Sequence, residues 1–147
     1  MGLGSHPHAL ITGGSGSGKS QAILFTLGRM LKECHEHGLN VELYLCDFKY
    51  SEDYQFLSDA SYPHYFGGLD CYNGIMGFYH NFSETRNKQG QDKTKHHFLI
   101  IDEYQALITY HTMKDKQDKT KYSAEILSAI AEILMMGRNT QSGVWHL

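Results

Sequence analysis

Apolar residues recur along this chain with two different spacings, and the spacing changes wherever glycine or a polar cluster intervenes. His8 to Thr12 is a short apolar run that reads as a strand and empties into a glycine- and serine-rich segment. From Lys19 onward Ile23, Leu27, Leu31 and Cys34 fall on one helical stripe, and Gly38 stands where a helix commonly stops. Val41 to Cys46 is apolar and partly alternating, which predicts a second strand with Asp47-Phe48-Lys49 at its C-terminal tip. An aromatic stretch without a period follows. Asp70 is expected to cap a helix on which Ile75, Tyr79, Phe82 and then Arg86 share a face, and polar residues from Asn87 to Lys95 end it.

Phe98-Leu99-Ile100-Ile101 is an uninterrupted apolar run, as expected of a strand covered on both faces, and it delivers Asp102-Glu103 at its tip. Lys114 to Lys121 reads as a charged loop. Ile126, Leu127, Ile130, Ile133 and Leu134 then mark an amphipathic helix that breaks near Gly137-Arg138-Asn139, and Gly143 to Leu147 looks like a last strand. Strands alternating with helices predict an α/β fold with a mostly parallel sheet and helices on both faces.

The 147 residues suit a single domain, 1–147, large enough to bury a core. A net charge of −3 excludes an overall basic field of the kind that grips nucleic acid without regard to sequence, so any DNA contact must be local or lie outside the chain. Cys34, Cys46 and Cys71 are scattered and odd in number, which reads as buried thiols of a reducing cytoplasm rather than a disulfide framework or zinc site. No apolar run is long enough to span a bilayer, and the N-terminus lacks the layout of a signal peptide. The ten histidines, His96-His97 included, have no zinc-site spacing and read as surface residues. Gln-Asp-Lys-Thr-Lys occurs at 91–95 and again at 117–121, and no longer period makes that a repeat.

The chemistry concentrates in two motifs. Gly13-Gly14-Ser15-Gly16-Ser17-Gly18-Lys19-Ser20 satisfies G-x-x-x-x-G-K-[ST]. Glycines let successive backbone N–H groups turn inward around an anion, and the helix that follows points its positive end at the same place. Lys19 is then expected to reach the outer phosphates of a nucleotide and Ser20 to hold Mg2+. Further on, Asp102 is expected to hold the metal, and Glu103 to orient and deprotonate an attacking water. ATP is favoured over GTP, because Asn87-Lys88-Gln89-Gly90 lacks the Asp that a guanine-reading N-K-x-D segment requires.

Taken with His6-Pro7-His8-Ala9-Leu10-Ile11, Asp47-Phe48-Lys49 and Gly137-Arg138-Asn139, these motifs resemble the motor domain of the FtsK/SpoIIIE family of DNA-pumping ATPases. The Asp47-Phe48-Lys49 tip, with Phe78-Tyr79-His80-Asn81-Phe82 and Arg86 downstream, is most similar to FtsK-like coupling proteins of conjugative and integrative elements. The resemblance implies a P-loop NTPase of the RecA-like (ASCE) type, a three-layer αβα sandwich in which the last strand lies between the glycine-loop strand and the Asp102 strand. It implies ATP and Mg2+ as cofactors, a homo-hexameric ring with ATP between subunits, and double-stranded DNA as partner. A ring needs a cation fed from one subunit to the next, and Arg86 and Arg138 are the candidates. Each has a plainer reading: Arg86 as a stem laid on the core with its head in water, Arg138 as a charge suited to a helix end. Lys49 has two readings, a cation at the phosphates or the partner of a neighbouring carboxylate. Asp47 likewise either orders the metal's water shell or caps a nearby turn.

The family continues past this strand into a Gln-containing motif, further strands and a winged helix, whereas this chain stops at Leu147. The expectation is therefore a cytoplasmic, C-terminally incomplete motor core for DNA transfer, its membrane anchor, if any, carried by other segments. Two alternatives remain open on sequence alone: an ATPase of the same type serving protein secretion, and an inactive nucleotide-binding fragment.

Overall fold

A computed structural model of the chain describes residues 9–10, 19–87, 95–136 and 142–146. Five strands and five helices are seen among them: β1 (Ala9–Leu10), α1 (Lys19–Glu36), β2 (Asn40–Asp47), α2 (Gln55–Asp59), β3 (Tyr65–Gly67), α3 (Cys71–Asn87), β4 (Lys95–Asp102), α4 (Tyr104–Asp118), α5 (Tyr122–Met136) and β5 (Ser142–His146). The strands form one sheet in the order β1-β5-β4-β2-β3, and every pairing is parallel. Parallel neighbours need crossover connections: α2 lies between β2 and β3, and α4 and α5 lie between β4 and β5. No helix among the described residues is long and apolar enough to cross a membrane.

The four apolar residues of β4 show why this fold follows from this sequence. Side chains alternate across a strand, so Leu99 and Ile101 face one way and Phe98 and Ile100 the other. Leu99 and Ile101 join Tyr44 and Cys46 of β2 in a core closed by Ile75, Phe78 and Phe82 of α3 and by Ile126, Ile130 and Ile133 of α5. Phe98 and Ile100 join Leu43 and Leu45 in a second core under Leu27, Met30 and Cys34 of α1. Each fully buried side chain of this size stabilises the fold by roughly 1.5–3 kcal/mol relative to exposure. A strand apolar on both faces therefore needs a helix layer on each.

The expected elements stand with corrections of detail. Among the described side chains of α1 the buried ones are Leu27, Met30 and Cys34, and Leu31 of the stripe read from spacing is exposed. On α5 the buried face is Ile126, Ala129, Ile130 and Ile133, which leaves Leu127 and Leu134 exposed. Asp70 sits in a 3₁₀ turn before α3 and accepts from the side-chain amide of Asn73 (2.9 Å). Gly38, with φ +68°, ends α1: Leu39 N–H donates to Cys34 O (2.8 Å) and Gly38 N–H to His35 O (3.2 Å), the paired bonds of a left-handed helix stop.

Two expectations fail more plainly. The residues 114–118, read as loop, are the last turn and more of α4. Lys114, Lys116 and Asp118 are exposed, and a helix with a solvated tail carries no apolar period. The histidines are not all at the surface either. His96 and His111 are buried, and burial pushes both imidazoles toward the neutral form. His97 lies 3.3 Å from a Glu42 carboxylate oxygen on the neighbouring strand. The three cysteines are buried free thiols, as the composition implied.

Candidate functional site

In a parallel sheet, loops at the C-terminal strand ends gather the chemistry, and here β2 and β4 bring two carboxylates there side by side. Asp47 and Asp102 are register partners, on strands about 4.8 Å apart. Alternation places both on the α1 face, in line with Leu45 and Ile100. Both are almost completely buried.

Asp47 is built in from two directions. One carboxylate oxygen accepts from Ser51 N–H (3.0 Å), which closes the turn after β2, and the other from the hydroxyl of Tyr65 on β3 (2.8 Å). Burial pushes its pKa up, the Ser51 and Tyr65 hydrogen bonds oppose that, and the negative charge of Asp102 adds to it. The Ser51 hydrogen bond is that of a turn cap, one of the two readings of Asp47. The same hydrogen bond drives the Tyr65 phenol in the opposite sense to acidity: burial first and then the bond to Asp47 raise its pKa strongly.

Glu103 has φ 61° and ψ 44°, the left-handed region, which costs a non-glycine residue roughly 1–2 kcal/mol. The turn lets β4 pass directly into α4, whose first-turn Leu107 N–H donates to Glu103 O (3.0 Å). Lys49 Nζ lies 3.5 Å from Glu103 Oε2. Lys49 thus pairs with a neighbouring carboxylate, the second of its two readings. With Lys49 largely exposed, the attraction is screened and does more to place Glu103 than to stabilise the fold. Between Asp47 and Lys49, the Phe48 ring packs against Tyr110 of α4 with centroids 5.8 Å apart.

The start of α1 reaches the same edge. Lys19 and Ser20 are its first two residues, and the next residue, Gln21, donates from Nε2 to Asp53 Oδ1 (2.7 Å) in the segment after Asp47. The side-chain roles expected of Lys19 and Ser20 lie outside the described residues, as do Gly13, Gly14, Ser15, Gly16, Ser17 and Gly18 and the candidate cation Arg138. Arg86 belongs to α3 near its C-terminal end, about 22 Å along the helix from Cys71, which follows the tip of β3. The structure therefore brings Asp47, Lys49, Asp102 and Glu103 together with the N-terminus of α1, and leaves Arg86 at the other end of α3.

Sequence reasoning missed Ser51, Asp53 and Tyr65. Ser51 is the cap of a 3₁₀ turn, its hydroxyl accepting from Asp53 N–H (3.3 Å), and Ser-Glu-Asp is a legible cap signal. Tyr65 lies on a three-residue strand, too short to show alternation. No group of three or more His, Cys, Asp and Glu side chains is clustered as a metal site among the described residues.

No protein-family model matches the chain, and no curated protein or solved structure is similar enough to match it. The functional reading rests on the residues themselves.

Proposed function

We propose that this chain is the ATP-binding motor core of an FtsK/SpoIIIE-type translocase, a RecA-like P-loop ATPase whose magnesium-dependent hydrolysis moves double-stranded DNA. The observation that carries the reading is one of placement. α1 opens at Lys19, at the close of the G-x-x-x-x-G-K-[ST] run, and is tied by Gln21 to the segment after Asp47. Asp102 meanwhile ends a strand separated from β1 by β5 alone, the strand order that the resemblance implies.

On this reading the helix N-terminus and Lys19 hold the outer phosphates. Ser20 and Asp102 would hold Mg2+, whose charge would offset that of the phosphates. Asp47 and Asp102 are hard oxygen donors of the right kind. On this reading water and phosphate oxygens would be the ion's remaining ligands. Glu103 takes the proton of the attacking water, held in place by its turn and by Lys49. A neighbouring subunit of a homo-hexameric ring would contribute Arg86 or Arg138 to the departing phosphate.

Calorimetry with ATP and magnesium tests the first claim: Lys19→Ala should lose most of the affinity, and unchanged binding would sink the glycine-loop assignment. Phosphate release measured with and without duplex DNA tests the second. Stimulation supports the DNA cargo, and a rate indifferent to DNA rejects it.

A further inference from the structure

His111 of α4 is enclosed by three tyrosine rings. Centroid to centroid, Tyr110 of the same helix lies 5.3 Å away, Tyr122 of α5 5.8 Å and Tyr72 of α3 6.3 Å. The His111 side chain is 5% exposed, and its two ring nitrogens are closed off from solvent and have no hydrogen-bond partner among the described residues. Buried polar atoms left in that condition are uncommon, because each loses its water and gains nothing. Leu107, one turn earlier, fills its place in the core without that loss, so packing alone does not call for an imidazole at 111.

The groups around the ring decide what a proton on it would do. Tyr72, Tyr110 and Tyr122 face it with phenols and bring no carboxylate to it. Glu125 of α5 is engaged by the Tyr72 hydroxyl, which donates to it. Asp115, one turn further along α4, pulls the imidazole toward its charged form, but burial outweighs that pull. The Asp115 oxygens are already committed to Thr120, Tyr122 and Ser123. Lys114 and Asp118, of opposite sign, share with His111 the wall of an open pocket of about 430 Å³. An imidazolium in this place therefore has neither water nor an anion to bond, and the pocket beside it is its way to solvent.

We propose that His111 is an acid-sensitive latch: neutral, it closes α4 against α3 and α5, and on taking up a proton it turns out into the pocket and α4 opens. Leu107 and His111 are the buried side chains of this helix, so the loss of one removes half of that anchorage. The other, Leu107, donates from its N–H to Glu103 O (3.0 Å), so the latch and the acidic tip of β4 share one short helix. A ring held neutral in the closed state means that the opened state takes up the proton first. The closed state therefore loses ground as pH falls below about 6.5, the ordinary imidazole value, and keeps losing it down to the lower value of the closed state.

The inference does not rest on the ATPase reading, and an experiment without nucleotide keeps the two separate. Amide hydrogen exchange of the chain is followed by NMR at about pH 7.5 and about pH 5.5, each rate divided by that of an unstructured chain at the same pH. Uptake of one proton by an opened helix with an ordinary imidazole should lower the protection of α4 by up to about tenfold over that range, while α3 keeps its own. Asp115 stays ionised throughout, since its pKa is held at about 2. His111→Leu, which leaves no buried polar atom, and His111→Gln, which stays polar without titrating, should each flatten the response. Loss of protection centred on β4 instead assigns the effect to the other buried histidine, His96, and overturns the latch. So does an α4 indifferent to pH in wild type, or the same response in either folded variant.

Discussion

Glu103 combines a left-handed backbone, a lysine partner and a place directly after a buried aspartate. A strained residue persists only where its surroundings over-determine it, and such residues gather at functional sites. If Glu103 is the base, Glu103→Gln keeps the shape and loses the proton acceptor, so it should bind ATP normally and release phosphate about two orders of magnitude more slowly. Steady-state phosphate release beside calorimetric ATP binding checks this, and wild-type turnover removes Glu103 from the mechanism. Asp102 and Glu103 were legible in sequence because four apolar residues pointed to the tip. The conformation of Glu103 was not, since nothing in the residue type favours φ above zero. Nor was the choice between the two roles of Lys49, which depended on how far Glu103 lies from β2.

Among the elements, α4 is where sequence reasoning failed, and the reason lies in its burial. Only Leu107 and His111 of this helix are buried, and its last turns carry Lys114, Asp115, Lys116 and Asp118. A helix held at two positions shows no stripe, whereas α3 and α5, which face each other and the sheet, show theirs clearly. Asp115 explains how so lightly buried a helix is held at its far end. Its carboxylate accepts from Tyr122 N–H (3.1 Å), Ser123 N–H (2.8 Å) and Ser123 Oγ (2.7 Å), and from the Thr120 hydroxyl, so α4 caps the N-terminus of α5. Desolvation raises its pKa, but these hydrogen bonds outweigh that and hold it at about 2. A depressed folded-state pKa means stability that is present above the unfolded value and lost as pH falls through the folded one. Wild type should therefore melt above Asp115→Ala at neutral pH, and the gap should close between about pH 4 and pH 2. Melting curves across that range decide it, and a gap that persists at pH 2 rejects the cap as its source.

Across the whole molecule, the parallel sheet with helices on both faces was readable because strands alternate with helices along the chain and β4 is apolar on both sides. The order of the strands was not readable from periodicity, since no spacing in a sequence says which strands are neighbours. Trp145 makes the order testable: its backbone stands opposite Ala9 of β1 and Ile100 of β4, so it stitches the first strand to the rest. Proline there removes an N–H and forces the chain off a central ladder, and Trp145→Pro should lower stability by about 3 kcal/mol or more, read by urea denaturation. A midpoint unchanged from wild type would mean that β5 does not hold this position.

The same arrangement has a consequence for how the protein comes into being. The pairing described for β1 joins residues 9–10 to residues 145–146, at nearly the full span of the chain. During synthesis the central strands and their helices can collapse as they emerge, but β1 has no partner in the sheet until β5 has left the ribosome. β1 would thus take its position last, joining a sheet whose central strands are already built.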